Sequence, residues 1–365
     1  MKIQAEKQPL VELAQSALRV VSPRATLPVL GGVKITAQGA EVEFSATDLE
    51  IFVRTSGDFS VDEPGTVVVP GRLFGEILRS IPAGKVTISG GDTDVRIASG
   101  RSEFSLRGFS VADFPNPPEV AGGQGAIVQA QELARALNRV VKAASGDEAR
   151  PVLTGVLWEV EGGSLRLVAT DSYRLAVSEL VVKEGPVDAK AIMPGRALGE
   201  LARTVAGDEG TVEVLLGENQ AAFAAGRTKI VTRLIEGEFP NWRHLIPESY
   251  RSHLTVNKES FAAAVGRVGL VAATNTPVKF HLGEEIQLTA SESGVAEAAE
   301  VIEDATYEGE PMVIAFNPRF FSDGLDGIEG ESALLDVTDP TKPAVLKVPE
   351  RDDFTYLLMP VRLPG

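Results

Sequence analysis

The chain has no cysteine, so it has no disulfide and no thiol for catalysis or metal binding. Its three histidines, His244, His253 and His281, lack the i, i+4 spacing of a zinc-binding helix. No apolar run approaches the ~18 residues of a membrane span, and the first residues lack the apolar core of a signal peptide. We therefore expect no metal, no cofactor and no membrane partner, and a cytoplasmic location, which the missing cysteines also fit.

The sequence also lacks the common enzyme motifs. It has neither the Gly-rich phosphate-binding P-loop nor the Gly-x-Ser-x-Gly nucleophile elbow. Two Thr-Asp pairs, at 47–48 and 170–171, could be read as acid/base residues. The alternative is that each Asp caps a turn at the end of a strand. We favour the turn, because an active site rarely recurs at equivalent places in repeated domains.

Positive charge is scarce, with 35 basic against 51 acidic residues and a net charge of −16. Such a surface repels nucleic acid on average, so any DNA-binding function needs a local basic face. The content of 44% hydrophobic and 24% charged residues is that of an ordinary globular protein.

One stretch, residues 67–81, organises the chain. It predicts a short apolar strand, a Pro-Gly break and an amphipathic helix with apolar residues at helical spacing. The stretch returns at 191–203 and, more weakly, at 314–325, which places equivalent arginines at Arg72, Arg196 and Arg319. A period of more than 120 residues indicates three similar domains rather than a solenoid. We set their bounds at 1–121, 122–249 and 250–365.

Other features recur in the same register. Helices are predicted at 8–21, 132–144 and 260–273, and each precedes a strand. Strands such as 41–45, 85–89 and 211–215 alternate between apolar and polar residues, which favours antiparallel pairing. The predicted fold class is α+β, with antiparallel sheets and two helices in each domain.

Several motifs together resemble the bacterial DNA sliding clamp family, the beta subunit of DNA polymerase III. They are Arg24-x-Thr-Leu-Pro-Val-Leu, Val-Pro-Gly-Arg72, Asp113-Phe-Pro, Ala-Thr-Asp171-Ser-Tyr-Arg174 and the terminal Tyr356-Leu-Leu-Met-Pro-Val-Arg-Leu363. The resemblance covers the full length, and the segments 339–343 and 364–365 look like the actinobacterial branch.

The resemblance implies the DNA clamp fold, with two copies forming a head-to-tail dimeric ring around duplex DNA. It implies no catalysis: the chain would confer processivity by tethering the DNA polymerase III alpha subunit, the clamp loader and other proteins that carry a clamp-binding motif. Retention by a closed ring needs no tight phosphate contacts, which would hinder sliding.

Basic residues on the repeated helices and turns are the predicted DNA contacts. A lone basic residue on a helix is usually just solvated, but recurrence favours a DNA-facing lining. The predicted set is Arg24, Arg72, Arg79, Arg139, Lys142, Arg150, Arg196, Arg203, Arg267 and Arg319. Asp147 departs from the family pattern, which can place a polar DNA contact there.

By the same resemblance, partners insert a short linear peptide into a hydrophobic cleft between the second and third domains. Leu, Met and Pro suit an adaptable apolar pocket, and Arg174 and Arg362 could hold a carbonyl or carboxylate. The alternative is that some of these residues belong to an ordinary core. The matching residues are Leu153, Thr170, Ser172, Tyr173, Arg174, Leu175, Pro240, His244, Leu245, Pro343, Met359, Pro360, Val361 and Arg362.

The ring would close where the first domain of one copy meets the third domain of the other. We predict that Arg96 and Arg101, on edge strands of the first domain, pair with acidic residues along a strand of the third. Leu270 would lie in the apolar centre of the interface. The acidic residues are Glu297, Glu300, Glu303 and Asp304.

Two other functions remain open from the sequence. One is an accessory clamp that keeps the fold as a peptide-binding scaffold but has lost the DNA role, which the acidic balance and Asp147 allow. The other, less favoured, is an enzyme that uses the Thr-Asp pairs.

Overall fold

The structure is a computed structural model that describes residues 1–22, 27–91, 93–120, 122–186, 188–272 and 276–363. Its α-helices are α1 (Lys7–Val20), α2 (Gly71–Ser80), α3 (Ala130–Val140), α4 (Gly195–Thr204), α5 (Lys258–Gly269) and α6 (Pro318–Gly327). Short 3-10 helices lie at Pro28–Gly31, Val111–Asp113, Val141–Ala143, Pro151–Thr154 and Trp242–Leu245.

Strands make up most of the remaining structure. In chain order they are β1 (Lys2–Glu6), β2 (Gly32–Gln38), β3 (Glu41–Thr47), β4 (Ile51–Asp58), β5 (Ser60–Glu63), β6 (Gly65–Pro70), β7 (Lys85–Gly90), β8 (Asp94–Ser99), β9 (Ser102–Arg107), β10 (Gln124–Gln129), β11 (Gly155–Glu161), β12 (Ser164–Thr170), β13 (Arg174–Val181), β14 (Asp188–Pro194), β15 (Thr211–Leu216), β16 (Gln220–Ala225), β17 (Thr228–Arg233), β18 (Ser252–Asn257), β19 (Val278–Leu282), β20 (Ile286–Glu292), β21 (Ala296–Ile302), β22 (Ala305–Glu308), β23 (Met312–Phe316), β24 (Ser332–Val337), β25 (Ala344–Lys347) and β26 (Phe354–Leu358).

The chain divides into two compact units. The first comprises Met1–Ala134, Val182–Pro186 and Gly199–Leu234, and the second comprises Arg135–Val181, Val187–Leu198 and Ile235–Gly365. The units do not follow the three sequence repeats, because the sheets run across the repeat boundaries. The domain bounds set from the sequence stay a prediction.

The first unit contains two antiparallel sheets. One has the strand order β5-β1-β7-β8-β9, and the other has the order β10-β15-β16-β17-β4-β3-β2-β6. In the larger sheet Ile230 of β17 lies opposite Val53 of β4, so strands of the second repeat continue a sheet of the first.

The second unit repeats this arrangement with sheets of nine and four strands. Their orders are β14-β11-β12-β13-β26-β25-β24-β18-β22 and β21-β20-β19-β23. Arg174 of β13 lies opposite Leu358 of β26, so here a strand of the third repeat joins the sheet of the second. This pairing positions the two segments that carry most of the predicted peptide cleft.

The helices follow the predicted amphipathic pattern. In α2 the side chains of Phe74, Ile77 and Leu78 are buried, and the preceding Pro70 ends strand β6. Leu73, predicted on the same apolar face, is instead 47% exposed. Helix α3 ends at Val140 and continues as a 3-10 turn, and α5 ends at Gly269, so both α-helices are shorter than predicted. Ala273, the predicted end of the latter, lies outside the described residues.

Candidate functional site

The turn after strand β12 confirms the structural role assigned to the Thr-Asp pairs. Asp171 Oδ1 accepts hydrogen bonds from the main-chain N–H groups of Tyr173 and Arg174, at 2.9 and 3.0 Å. Thr170 Oγ1 accepts the N–H of Ser172 at 3.2 Å, and Ser172 has a φ of +80°. The Asp side chain therefore caps a strand end, as such residues commonly do in turns.

The first repeat contains the same turn. Asp48 Oδ1 accepts the N–H groups of Glu50 and Ile51 at 3.0 and 2.8 Å, and Thr47 Oγ1 accepts the N–H of Leu49 at 3.0 Å. Leu49 has a φ of +77°, close to that of Ser172. The recurrence of this backbone geometry shows that the Thr-Asp pair is part of the repeated fold.

In the second unit the turn displays Tyr173, whose side chain is 61% exposed. The Tyr173 ring stacks on Phe320 of α6 with 6.5 Å between ring centroids. The Tyr173 carbonyl accepts the N–H of Met359 at 2.9 Å, and Met359 is 40% exposed. The β12–β13 turn and the end of β26 therefore present two large apolar side chains next to each other.

Other predicted cleft residues belong to, or lie next to, one buried core that also anchors the segments of Tyr173 and Met359. Leu175 and Leu357, which are cross-strand partners, belong to a buried cluster together with Phe239 and Trp242. Each segment that carries another predicted cleft residue also contributes a residue to that cluster or packs one against it. The exposed or half-buried members of the predicted set are Leu153, Ser172, Tyr173, Pro240, His244, Leu245, Pro343, Met359, Pro360, Val361 and Arg362.

Three of these segments can be placed individually. Pro240 follows Phe239, and the 3-10 helix Trp242–Leu245 buries Trp242 but leaves Leu245 46% exposed. Leu153 follows Val152, which packs against the same cluster. The tail after β26 is fixed where the N–H of Val361 donates to the carbonyl of Ala315 at 2.8 Å.

Three residues predicted to line the cleft are instead buried beneath it, which corrects the prediction. Thr170 is 4% exposed and Leu175 is 1% exposed. Arg174 is 7% exposed, so it does not present a free guanidinium to a ligand. The terminal strand β26 pairs with β13 opposite Arg174 and Leu175, which the motif alone did not reveal.

The guanidinium of Arg174 is bound by groups of the chain itself. Its Nε lies 3.0 Å from Asp171 Oδ2, and its Nη1 lies 2.6 Å from Asp323 Oδ2 and 3.2 Å from the Tyr356 hydroxyl. The guanidinium also lies 4.3 Å from the ring centroid of Phe320. Arg174 therefore supports the Tyr173 turn from below.

Burial raises the pKa of the Tyr356 hydroxyl, so this group stays protonated. It donates to the carbonyl of Phe320 at 3.0 Å while it accepts from Arg174. The sequence reading gave no role to Phe320, Asp323 or Tyr356. One sequence feature could have drawn attention to Asp323: it is an Asp at the position where the other two repeats have Glu76 and Glu200.

The basic residues predicted to face DNA fall on or beside the helices, but most already have an acidic partner. The pairs are Arg72 with Glu76 at 3.0 Å, Lys142 with Asp326 at 2.7 Å, Arg150 with Asp147 at 2.9 Å, Arg203 with Glu200, and Arg267 with Glu300. These cations are more than 40% exposed, so each pair is worth at most ~1 kcal/mol and a phosphate could compete for the cation.

Arg139 must be removed from the predicted DNA contacts. Its side chain is 4% exposed and lies 2.8 Å from Asp353 and 3.3 Å from Glu329. Its Nε donates to the carbonyl of Gly327 at 3.0 Å. This arginine points into the second unit, where the end of α6 and the ring of Phe354 in β26 pack against it.

The remaining members of the set that the structure describes are exposed. Arg79, Arg196 and Arg319 all have exposed side chains on helices α2, α4 and α6. Arg24 lies outside the described residues. Besides its pair with Asp147, Arg150 donates to Ser172 Oγ at 3.0 Å, which links the predicted DNA contact to the edge of the predicted cleft.

The predicted ring-closing residues do not all lie on edge strands. Arg96 is on β8, which is flanked by β7 and β9, and Arg101 is in the turn between β8 and β9. Glu297 and Glu300 are on β21, which is the edge of its sheet. Glu303 and Asp304 follow that strand rather than lying on it. Leu270, directly after α5, is 86% exposed.

Within the described ranges, no group of three or more His, Asp or Glu residues could hold a metal ion. None of the described helices is both long and apolar enough to cross a membrane.

Comparison with known proteins identifies the family. Residues 1–118, 127–241 and 243–362 match the N-terminal, central and C-terminal domains of the DNA polymerase III beta subunit. The chain is 36% identical to the beta sliding clamp of Streptomyces coelicolor over the full length of both, which agrees with the actinobacterial resemblance. It is also similar over the full length of both chains to crystal structures of the sliding clamps of Bacillus subtilis (29% identity, TM-score 0.88) and Pseudomonas aeruginosa bound to griselimycin (27%, 0.89). The chain therefore belongs to the family of bacterial beta sliding clamps, the non-catalytic processivity subunit of DNA polymerase III.

Proposed function

We propose that two copies of this chain form a head-to-tail ring around duplex DNA and hold the replicative polymerase on it. The alpha subunit of DNA polymerase III, the clamp loader and other partners bind by a short peptide. The ring acts in the cytoplasm, where the bacterial chromosome lies. The observation that carries the tether role is that the exposed apolar side chains of Tyr173, Leu245 and Met359 lie on segments that share one buried core.

This surface suits a linear peptide with large apolar side chains. Exposed apolar side chains that lie together indicate a binding site more often than single ones do, and Met adapts to ligands of different shape. The turn beneath them is held by the buried Arg174 network and by the Tyr173–Met359 main-chain bond. Because the receptor side is already ordered, binding costs mainly the ordering of the peptide.

The helix cations suit a loose contact with DNA. Each firm phosphate contact steepens the fall of log affinity with log salt by ~0.9. Cations that are already paired with carboxylates, such as Arg72 and Lys142, exchange partners at little net gain. We infer that the ring closes around the duplex without gripping it, and that Arg79 and Arg319, which are exposed on α2 and α6, supply most of the attraction.

Ring closure is proposed to join the β21 edge of one copy to the β8–β9 hairpin of the other. Glu297 and Glu300 on β21 would face Arg96 and Arg101 on that hairpin. Within one chain Arg96 is paired with Glu103 at 3.1 Å and Glu300 with Arg267, so closure requires an exchange of partners. Reversing the charge at Glu300 and Glu303 should lower the dimer fraction in light scattering, and an unchanged dimer would refute this assignment.

One observation favours the accessory scaffold as a second candidate. Asp147 lowers the positive potential at Arg150, a predicted DNA contact, by pairing with it at 2.9 Å. The two functions differ in topology. A processivity clamp loaded on circular DNA is retained and then lost when the DNA is linearised, whereas a scaffold is not retained at all.

The tether role is tested by fluorescence polarisation of a labelled peptide with the pattern Gln-Leu-x-Leu-Phe. Wild-type protein should bind it saturably in the micromolar range, and Met359→Ala should weaken binding about tenfold, because it removes a large apolar contact. Val181→Ala is the matched control, since Val181 is 67% exposed and lies at the end of β13 opposite to the Tyr173 turn. Equal affinity of wild type and Met359→Ala would show that the peptide binds elsewhere.

A further inference from the structure

The chain carries few sulfur atoms. It has no cysteine and four methionines, Met1, Met193, Met312 and Met359, all within the described ranges. Met193 is fully buried, Met1 and Met312 are half-buried, and Met359 alone among the four is exposed, at 40%. Because oxidation selects the sulfur that solvent reaches, and no thiol competes for the oxidant, an oxidant in solution should react first at Met359.

The backbone around Met359 is held in place on both sides. The N–H of Met359 donates to the carbonyl of Tyr173 at 2.9 Å, and the N–H of Val361 donates to the carbonyl of Ala315 at 2.8 Å. Pro360, which lies between them, has a φ that its ring restricts. A chemical change in the Met359 side chain therefore alters the surface at this place, while the main chain beside it stays fixed.

Met359 is one of three exposed apolar contacts on the proposed peptide surface. The others are Tyr173, whose ring stacks on Phe320, and Leu245, at the end of the 3-10 helix Trp242–Leu245. Neither of these side chains contains sulfur, so oxidation of methionine changes one of the three contacts and leaves the other two. Oxidation therefore weakens the surface without dismantling it, as a reversible control requires.

We propose that Met359 is a reversible oxidation site through which peroxide controls the binding of the peptide partner. The inference rests on the proposed tether function, because it concerns the regulation of the same surface. The thioether is apolar and adapts to the ligand, whereas the sulfoxide is polar. A peptide that covers the sulfoxide with apolar side chains removes its water and offers no hydrogen-bond donor in return, so the oxidised surface binds more weakly.

The oxidation needs only hydrogen peroxide. A lone pair of the Met359 sulfur attacks one peroxide oxygen, and the S–O bond forms as the O–O bond breaks. The leaving hydroxide takes the proton from the transferred oxygen and departs as water, so two electrons have passed from the sulfur to the peroxide. Methionine sulfoxide reductases reverse the step with two electrons from a thiol reductant, and the oxygen leaves as water.

Mass spectrometry after peroxide treatment locates the added oxygen. Met359 should be oxidised before Met312. An excess of the Gln-Leu-x-Leu-Phe peptide should slow the reaction at Met359 and leave that at Met312 unchanged, because the bound peptide covers only the first of the two. Faster oxidation of Met312, or no protection of Met359 in a protein that binds the peptide, would show that the inference is wrong.

Fluorescence polarisation of the labelled peptide measures the effect on binding. With the oxygen on Met359, the dissociation constant should rise at least about fivefold, since a polar group replaces an apolar contact. Treatment with methionine sulfoxide reductases and dithiothreitol should restore it. In Met359→Leu the dissociation constant, whatever its starting value, should not change with peroxide. Met312→Leu is the matched control and should keep the response of wild type.

The failure of this inference can be told from the failure of the proposed function. If the sulfoxide forms at Met359 and the affinity stays the same, or if peroxide weakens Met359→Leu as much as wild type, Met359 does not control binding. If untreated wild type does not bind the peptide at all, the proposed peptide surface is wrong and the inference falls with it.

Discussion

The guanidinium of Arg174 donates to the hydroxyl of Tyr356 over 3.2 Å, and this hydroxyl donates onward to the carbonyl of Phe320. The contact joins the start of β13, the strand β26 and the helix α6, which come from two different repeats. It fixes the base of the turn that displays Tyr173, and it makes Arg174 a support for the proposed peptide surface.

Replacing Arg174 should therefore destabilise the fold. Arg174→Met leaves the carboxylates of Asp171 and Asp323 without their cation, and removing one partner of a buried ion pair costs about 3–5 kcal/mol. Tyr356→Phe loses only hydroxyl hydrogen bonds and should cost about 1 kcal/mol. Urea unfolding measures both. Arg203→Met, at an exposed arginine, is the control, and an Arg174→Met midpoint equal to that of wild type would contradict the prediction.

Substitutions at Arg139 and Arg319 should have different effects, the first on stability and the second on DNA binding. Arg139→Gln removes a buried cation from Asp353 and Glu329, so the free energy of unfolding should fall by about 3 kcal/mol. Arg319→Gln changes an exposed helix residue and should leave unfolding within about 0.5 kcal/mol of wild type. At low salt, and under conditions where both variants are folded, Arg319→Gln should bind DNA more weakly than Arg139→Gln. If Arg139→Gln instead left unfolding unchanged and weakened DNA binding more than Arg319→Gln, Arg139 would be a DNA contact.

Asp147 should restrain Arg150. The adjacent Arg150 guanidinium lowers the pKa of Asp147, so the pair is ionised at neutral pH. Asp147→Asn frees Arg150 for a phosphate, and the salt dependence of DNA binding should steepen by up to about 0.9 in log–log slope. Asp58→Asn, which frees Arg227 from an exposed strand pair at 2.6 Å, is the control. An equal slope in wild type and Asp147→Asn would show that Arg150 does not meet DNA.

The stability contributed by Asp353 should vanish in acid. Burial alone would raise the pKa of Asp353, but Arg351 and Arg139 outweigh it and lower the pKa below its ordinary 3.8. Folding thus favours the ionised carboxylate of Asp353. This stabilises the folded protein above the ordinary pKa, and the stabilisation is lost as the pH falls through the lowered pKa. The stability gap between wild type and Asp353→Asn should be large at about pH 6 and shrink below about pH 4. Asp352→Asn, at the exposed neighbour, should show no such change.

The sequence predicted the repeats, the fold class and the Thr-Asp turns because these depend on local patterns. Six helices with two in each repeat follow from apolar spacing, and the buried positions of α2 agree with it except for Leu73. The Asp171 turn could be predicted because the side chain bonds to main-chain groups only two and three residues away.

The errors concern long-range contacts. Arg139 has the helical spacing of a solvated residue, and its burial depends on contacts with Gly327 and Asp353, which lie 188 and 214 residues later. Arg174 and Leu175 belong to a motif that resembles the family's cleft, yet contacts with Asp323 and Tyr356 bury Arg174, and a core cluster with Trp242 and Leu357 buries Leu175. Likewise, β8 is an inner strand because the hairpin partner β9 lies outside it, a fact of sheet order that alternation does not encode.

The turn at Thr47, Asp48 and Leu49 has a consequence for protein engineering. Its hydrogen bonds and its positive φ match those of the turn that displays Tyr173, and Leu49 is already 47% exposed. The first repeat thus holds a second backbone of the same shape, and β17 pairs with β4 there as β26 pairs with β13 in the second unit. A designer who wished to add docking sites to each subunit would find the first half of such a site already folded.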